Sequence, residues 1–151
     1  MYQFTVKAFK DLSVDELYKI LQLRETVFVV EQNCIYNDID GIDAHCFHLF
    51  ALDKETQSFI AYARLVPAKI KFDVPSIGRV ISDKNYRGKG LGKALMNKAV
   101  DETMQLFKTN SIKISAQTYL LKFYSNLGFK PIGVPYDEDG IEHVDMLLDQ
   151  L

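Results

Sequence analysis

A chain of 151 residues with 48% apolar and 25% charged side chains can bury one full core and has the composition of a globular domain. Its net charge of −2 and pI near 5.9 exclude general nucleic-acid binding, and no apolar run reaches membrane-spanning length. Cys34 and Cys46 are too few for a disulfide framework, and Met1-Tyr2-Gln3-Phe4 lacks the basic-then-apolar pattern of a signal peptide, so a cytoplasmic setting is expected.

In chain order, Gln3 to Ala8 alternates weakly and predicts a first strand. Ser13-x-x-Glu16 is a capping box, and Leu17, Ile20, Leu21, Val27 and Phe28 follow at helical spacing, which predicts a long helix over 14–30. Asn33 to Asp43 is rich in Asn, Asp and Gly and predicts a loop. Phe47 to Leu52 and Phe59 to Val66 read as two strands joined by the polar turn Asp53–Ser58. Ile77 to Ser82 is a further strand, Leu91 to Phe107 an amphipathic helix and Ile112 to Ala116 a strand. Gln117 to Leu127 is a short helix with Leu120, Phe123, Tyr124 and Leu127 on one face and Gly128 as its stop. Lys130–Val134 and His143–Leu148 flank a loop whose Asp139-Gly140 signals a hairpin. No repeat or linker interrupts residues 1–151, which read as one domain.

Between the strand ending at Ser82 and the helix opening at Leu91 lies Arg87-Gly88-Lys89-Gly90-Leu91-Gly92-Lys93. A strand, a glycine-rich turn and a helix N-terminus converge several backbone N–H groups and the positive end of the helix dipole. Gly88, Gly90 and Gly92 clear space for a phosphate, and Lys84, Arg87, Lys89 and Lys93 add positive charge. That arrangement suits a polyphosphate. A Walker loop would need Ser or Thr where Ala94 stands, and a dinucleotide fingerprint would need glycine where Lys93 stands.

What fits is R-x-x-G-x-G, carried by Arg87, Gly90 and Gly92, which resembles the pyrophosphate motif of the GNAT superfamily of acetyl-CoA-dependent N-acetyltransferases. A second segment, Gln117 through Phe129, is similar to the family's next motif. It keeps Phe123-Tyr124 and Gly128-Phe129, but has Gln117 in place of the usual asparagine and Leu120 in place of the usual alanine. The order β-α-α-β-β-β-α-β-α-β-β is also the family's. Phe28 to Cys34, Asp38-Ile39-Asp40-Gly41, Gly78 to Ile81, and Glu138 to Ile141 with His143 resemble the ElaA-like group of small bacterial members.

The resemblance implies a single α/β domain (α+β type) with a mixed, mostly antiparallel central sheet, splayed beside Val80–Ser82, and helices on both faces. It implies acetyl-CoA as co-substrate, with no metal. The pyrophosphate would lie against Arg87, Gly88, Lys89, Gly90, Leu91, Gly92 and Lys93, the pantetheine arm along Val80, Ile81 and Ser82, with Gln117 and Tyr124 completing the site. It implies transfer to a small-molecule or peptide amine by a monomer or homodimer, with no nucleic-acid or membrane partner. A non-catalytic acyl-CoA-binding or regulatory module of the same fold is the alternative.

Acyl transfer from a thioester to an amine needs a proton for the leaving thiolate and a base for the amine. An unperturbed phenol titrates near ~10, which suits the first task, and Tyr124 holds the position in the second motif that makes it the candidate acid. A packing role on an amphipathic helix is its rival. For the base, Glu31, Asp38, Asp40, His48 and His143 all fall in segments expected on the acceptor side, with Glu31 and His143 put forward as catalytic. His45-x-x-His48 with Cys46 is no metal site, because residues 45 and 48 of a strand face opposite ways.

Overall fold

The computed structural model describes residues 1–150. Strand β1 (Tyr2–Ala8) leads into helix α1 (Val14–Arg24), which opens on the expected capping box. Ser13 Oγ accepts from the Glu16 N–H at 3.0 Å and Glu16 Oε1 accepts from the Ser13 N–H at 2.8 Å. Strands β2 (Phe47–Asp53), β3 (Phe59–Val66) and β4 (Ser76–Ser82) follow, then helix α2 (Leu91–Phe107) and strand β5 (Ser111–Gln117). Helix α3 (Leu121–Asn126) and the hairpin of β6 (Lys130–Glu138) and β7 (Ile141–Asp149) complete the chain.

Two antiparallel sheets result, one ordered β1-β2-β3-β4 and one ordered β5-β7-β6. Strands β4 and β5 lie side by side, joined where the Lys113 N–H donates to Pro75 O at 3.0 Å. No ladder pairs them beyond that point among the described residues. This is the expected splay beside Val80–Ser82, and it replaces one continuous mixed sheet by two antiparallel ones meeting at an open seam.

Side-chain alternation sorts the core onto the two faces of the first sheet. Phe50 and Tyr62 point to one face, where Ile20, Leu23 and Val27 of the first helical segment cover them. Leu49, Ala51, Ala61, Ala63 and Leu65 point to the other, under Leu95, Met96 and Ala99 of α2. The small alanines let the α2 backbone approach, and that core continues through Ile112, Ile114, Tyr124 and Phe129 into the second sheet. Helices therefore cover both faces, and both are anchored by burial worth ~2 kcal/mol per large apolar side chain.

Two elements differ from expectation. The helix expected over 14–30 is α-helical only to Arg24 and then winds more widely, in a π-helical run over Glu25–Glu31. A wider turn shifts every following side chain around the axis, and here it carries Phe28 and Glu31 to the seam between the sheets. The terminal hairpin is tighter than its polar sequence suggests. Its turn is only Asp139-Gly140, with φ of 54° and 84°, as a two-residue turn matched to strand twist requires.

Candidate active site

The open seam between β4 and β5 is a cavity of about 670 Å³. Val80, Ile81 and Ser82 line one wall; Gln117, Tyr124 and His143 line the other. Arg87, Gly88, Gly90, Gly92 and Lys93 close one end, near Glu31. Two residues of the glycine-rich turn stand apart from this lining. Lys89 is exposed on the turn, and the Leu91 side chain is buried in the core, leaving its backbone N–H as its polar group at that end.

At the glycine-rich end, Gly90 caps α2 in the left-handed region (φ 80°) with no side chain bonded to the helix terminus. The first intrahelical bond runs from the Ala94 N–H to Gly90 O at 3.1 Å, so the N–H groups of Leu91, Gly92 and Lys93 have no partner within the helix. A Cβ on Gly88 or Gly90 would meet no heavy atom within 4 Å, so the space above the turn is open. These uncapped donors fit an anionic group. Arg87 reaches back across the turn, its Nε and Nη2 donating to Ser82 O at 3.0 and 2.8 Å. Its Nη1 donates to Glu31 Oε1 at 2.5 Å. Glu31, put forward as a base, thus stands at the glycine-rich end with an oxygen engaged by a guanidinium.

Midway along the cavity, β4 is irregular. Tyr62 pairs with Ile81 and Arg64 with Gly78, so Arg79 and Val80 together oppose Ala63. Such a bulge breaks the ladder and increases twist. Arg79 takes φ 51°, a left-handed conformation that costs an L-residue with a Cβ about 1–2 kcal/mol. Opposite, Tyr124 is 6% exposed and reaches the cavity between the edges of Phe123 and Phe129. Burial, with a smaller contribution from Tyr119, pushes its pKa up to about 12. No hydrogen bond constrains its hydroxyl among the described residues.

At the far end, His143 Nδ1 lies 2.7 Å from Ile141 O. A carbonyl only accepts, so Nδ1 carries the proton and Nε2 is left as an acceptor in the neutral ring. Nε2 is 3.6 Å from Glu138 Oε2, and the ring stacks on Tyr136. Cys34 Sγ donates to Asp139 O at 3.3 Å and ties the hairpin tip to the segment following the π-helical run.

The other expected base candidates sit elsewhere. Asp38 and Asp40 belong to a network of three arginines and three aspartates on the α1 side of the first sheet. Arg24, fully buried, donates from Nε to Asp38 Oδ2 at 2.9 Å and from Nη1 to Asp43 Oδ1 at 2.8 Å. Arg64 grips both oxygens of Asp40 at 2.9 Å and reaches Asp43 at 3.0 Å. Arg79 bridges Asp38 at 2.8 Å and Asp40 at 3.3 Å. Against the cost of burial, Arg64 holds the Asp40 carboxyl down at about 2. His48 is fully buried beside this network, its Nδ1 2.6 Å from Tyr62 Oη and its Nε2 2.9 Å from Asp43 O. Loss of water lowers its pKa, and neither nitrogen faces the cavity. No group of three or more His, Cys, Asp or Glu is placed to hold a metal among the described residues. No spacing in the sequence announces this network; its one signal there is arginines set among apolar neighbours at 24, 64 and 79.

Known proteins share this architecture. The acetyltransferase (GNAT) domain model matches residues 9–150. Protein ElaA of Escherichia coli is 40% identical over 136 residues, covering 90% of this chain and 89% of ElaA. The ElaA crystal structure superposes with a TM-score of 0.91 at 36% identity, over 99% of this chain and 100% of that one. An acyl-CoA N-acyltransferase from Pseudomonas aeruginosa gives a TM-score of 0.92 at 37% identity, over 98% and 99% of the two chains. A UPF0039 protein of Schizosaccharomyces pombe is 41% identical over 148 residues, 97% of each chain.

Proposed function

The chain belongs to the GNAT acetyltransferase family, and from that premise we propose that it moves an acetyl group from acetyl-CoA to a primary amine by direct attack on the thioester. One observation carries the reading. A single cavity joins an uncapped helix N-terminus, a bulged strand edge, an unbonded phenol and a histidine with a free acceptor nitrogen. The N–H groups of Leu91, Gly92 and Lys93, with Arg87 and Lys93 side chains, hold the pyrophosphate. Val80, Ile81 and Ser82 offer backbone groups to the pantetheine amides in the manner of an added strand, and Gln117 lies opposite them. Glu31 orients Arg87 by accepting from its Nη1, a positioning role and not proton transfer.

In the transfer, the amine nitrogen forms a bond to the carbonyl carbon as the carbon–sulfur bond breaks. His143 Nε2 takes the amine's proton, and its Nδ1 bond to Ile141 O keeps that nitrogen available. Tyr124 supplies a proton to the departing thiolate; its pKa near 12 keeps the phenol protonated until the thiolate forms. Residues 1–151 act as one domain, working in the cytoplasm, as a monomer or homodimer. The test is thiol release from acetyl-CoA with a panel of primary amines. Release that depends on amine supports transfer; binding of acetyl-CoA without release on any amine would leave only a binding module.

A further inference from the structure

Of the charged residues lining the cavity, some are engaged by neighbours, Lys93 belongs to the glycine-rich end, and the others lie at the opposite, acceptor end. Arg79 is held by Asp38 and Asp40, and Glu31 by Arg87. That leaves Lys71, Glu138 and Asp139 among the charged lining residues at the acceptor end. Lys71 comes from the segment between β3 and β4; Glu138 and Asp139 come from the β6–β7 hairpin.

Lys71 forms no ion pair among the described residues, its ammonium standing 5.8 Å from the Phe72 ring centroid. Lys113 occupies the same ring at 4.6 Å, and it has Asp145 as an anionic partner at 3.7 Å. Two ammonium groups on one aromatic ring repel, so an anion beside Lys71 would be favoured. The segment carrying Lys71 is fixed by a tight turn, the Lys69 N–H donating to Phe72 O at 2.6 Å. Glu138 has His143 as its cationic neighbour, and that ring is charged only when protonated. Glu138 is the anion whose field acts most on Lys71, but the two form no ion pair, so opposite charges on two loops face each other across the cavity and complement a ligand that carries both signs.

We propose that the acceptor is an amino carboxylate, a small molecule bearing an amine and a carboxylate. Its ammonium is received by Glu138 and His143, and its carboxylate is held by Lys71. Simple polyamines would place a cation, instead of an anion, against Lys71. This inference rests on the acetyltransferase reading above and adds a substrate class to it.

The test compares matched pairs with acetyl-CoA: lysine against cadaverine, phenylalanine against phenethylamine, and 4-aminobutyrate against butylamine. The expected result is a kcat/KM about tenfold to a hundredfold higher for the carboxylate-bearing member of at least one pair, the size of one charge-assisted contact. Lys71→Gln should collapse that ratio toward one through KM, and Lys71→Glu should invert it. Acetyl-CoA should still raise the melting temperature of both variants, which shows that each is folded. Carboxylate-free amines used equally well or better, or a ratio unmoved by Lys71→Gln, overturn the proposal and leave the acetyltransferase reading standing. Acetyl-CoA binding with neither member of any pair acetylated overturns it as well. Absence of both binding and turnover defeats the acetyltransferase reading itself.

Discussion

At Tyr124, burial raises the cost of losing the phenolic proton while leaving the hydroxyl without a hydrogen-bond partner, so that group is protonated and unoccupied. Tyr124→Phe keeps the ring between Phe123 and Phe129 and removes only the oxygen. If the phenol is the acid, kcat should fall by about 10²–10⁴-fold while the acetyl-CoA-induced rise in melting temperature persists. Steady-state kinetics on any working acceptor decides this, and undiminished kcat would reduce Tyr124 to packing. His143 makes a different demand, since its Nδ1 is tied to Ile141 O and only Nε2 can receive a proton. His143→Gln should lower kcat/KM most at neutral pH, with the deficit shrinking as rising pH deprotonates the amine without help. A deficit independent of pH would point to binding alone. Both residues line the cavity, and the sequence singles out both. Tyr124 sits in a local motif, and His143 stood among five base candidates that spacing could not separate.

At the scale of elements, the α2 N-terminus and the β4 bulge do separate jobs. Gly90 has φ 80° with open space where a Cβ would stand. Gly90→Glu places a strained backbone and a carboxylate at the uncapped donors, so acetyl-CoA should no longer raise the melting temperature by mass action. A retained shift would show that the phosphate lies elsewhere. At the bulge, Arg79 holds its left-handed φ of 51° while its guanidinium bridges Asp38 and Asp40. Neither Arg79→Ala nor Arg79→Gly can make that bridge, so both should lower kcat if the bulge aims the strand at the thioester. Glycine tolerates the dihedral, so it should be the more stable variant by ~1 kcal/mol, roughly 2–4 °C in melting temperature. Equal melting temperatures would mean that the bulge relaxes once its tether is gone. The strand–turn–helix was readable because strand, glycines and helix fall within one short stretch. Neither the π-helical winding of Glu25–Glu31 nor the bulge has such a local signature, and both depend on contacts made across the fold.

Across the whole molecule, the arginine–aspartate network joins α1 through Arg24, the loop through Asp38, Asp40 and Asp43, β3 through Arg64 and β4 through Arg79. The members lie up to 55 positions apart in the chain, from Arg24 to Arg79, so no spacing rule announces their pairing. Their charges must be desolvated to fold, and the geometry offsets this only while every partner is ionised. The arginines keep their charge at any working pH, so acid acts on the aspartates. Asp40 titrates at about 2, and Asp43 is also lowered, by Arg24 and Arg64 acting against burial, relative to an unfolded aspartate near ~3.9. A folded pKa below the unfolded value contributes stability above the unfolded pKa and loses it as pH falls through the folded one. The window for Asp40 therefore runs from about 4 down to about 2. Asp40→Asn removes the charge but retains an oxygen for Arg64. Wild type should be the more stable protein at neutral pH, and its advantage should narrow across that window and vanish below it. Urea unfolding of both proteins from pH 7 to pH 2 measures the difference directly and cancels the carboxylates they share. An advantage that is constant through the window would mean that the Asp40 charge adds nothing to folding and that its bonds to Arg64 act through shape alone.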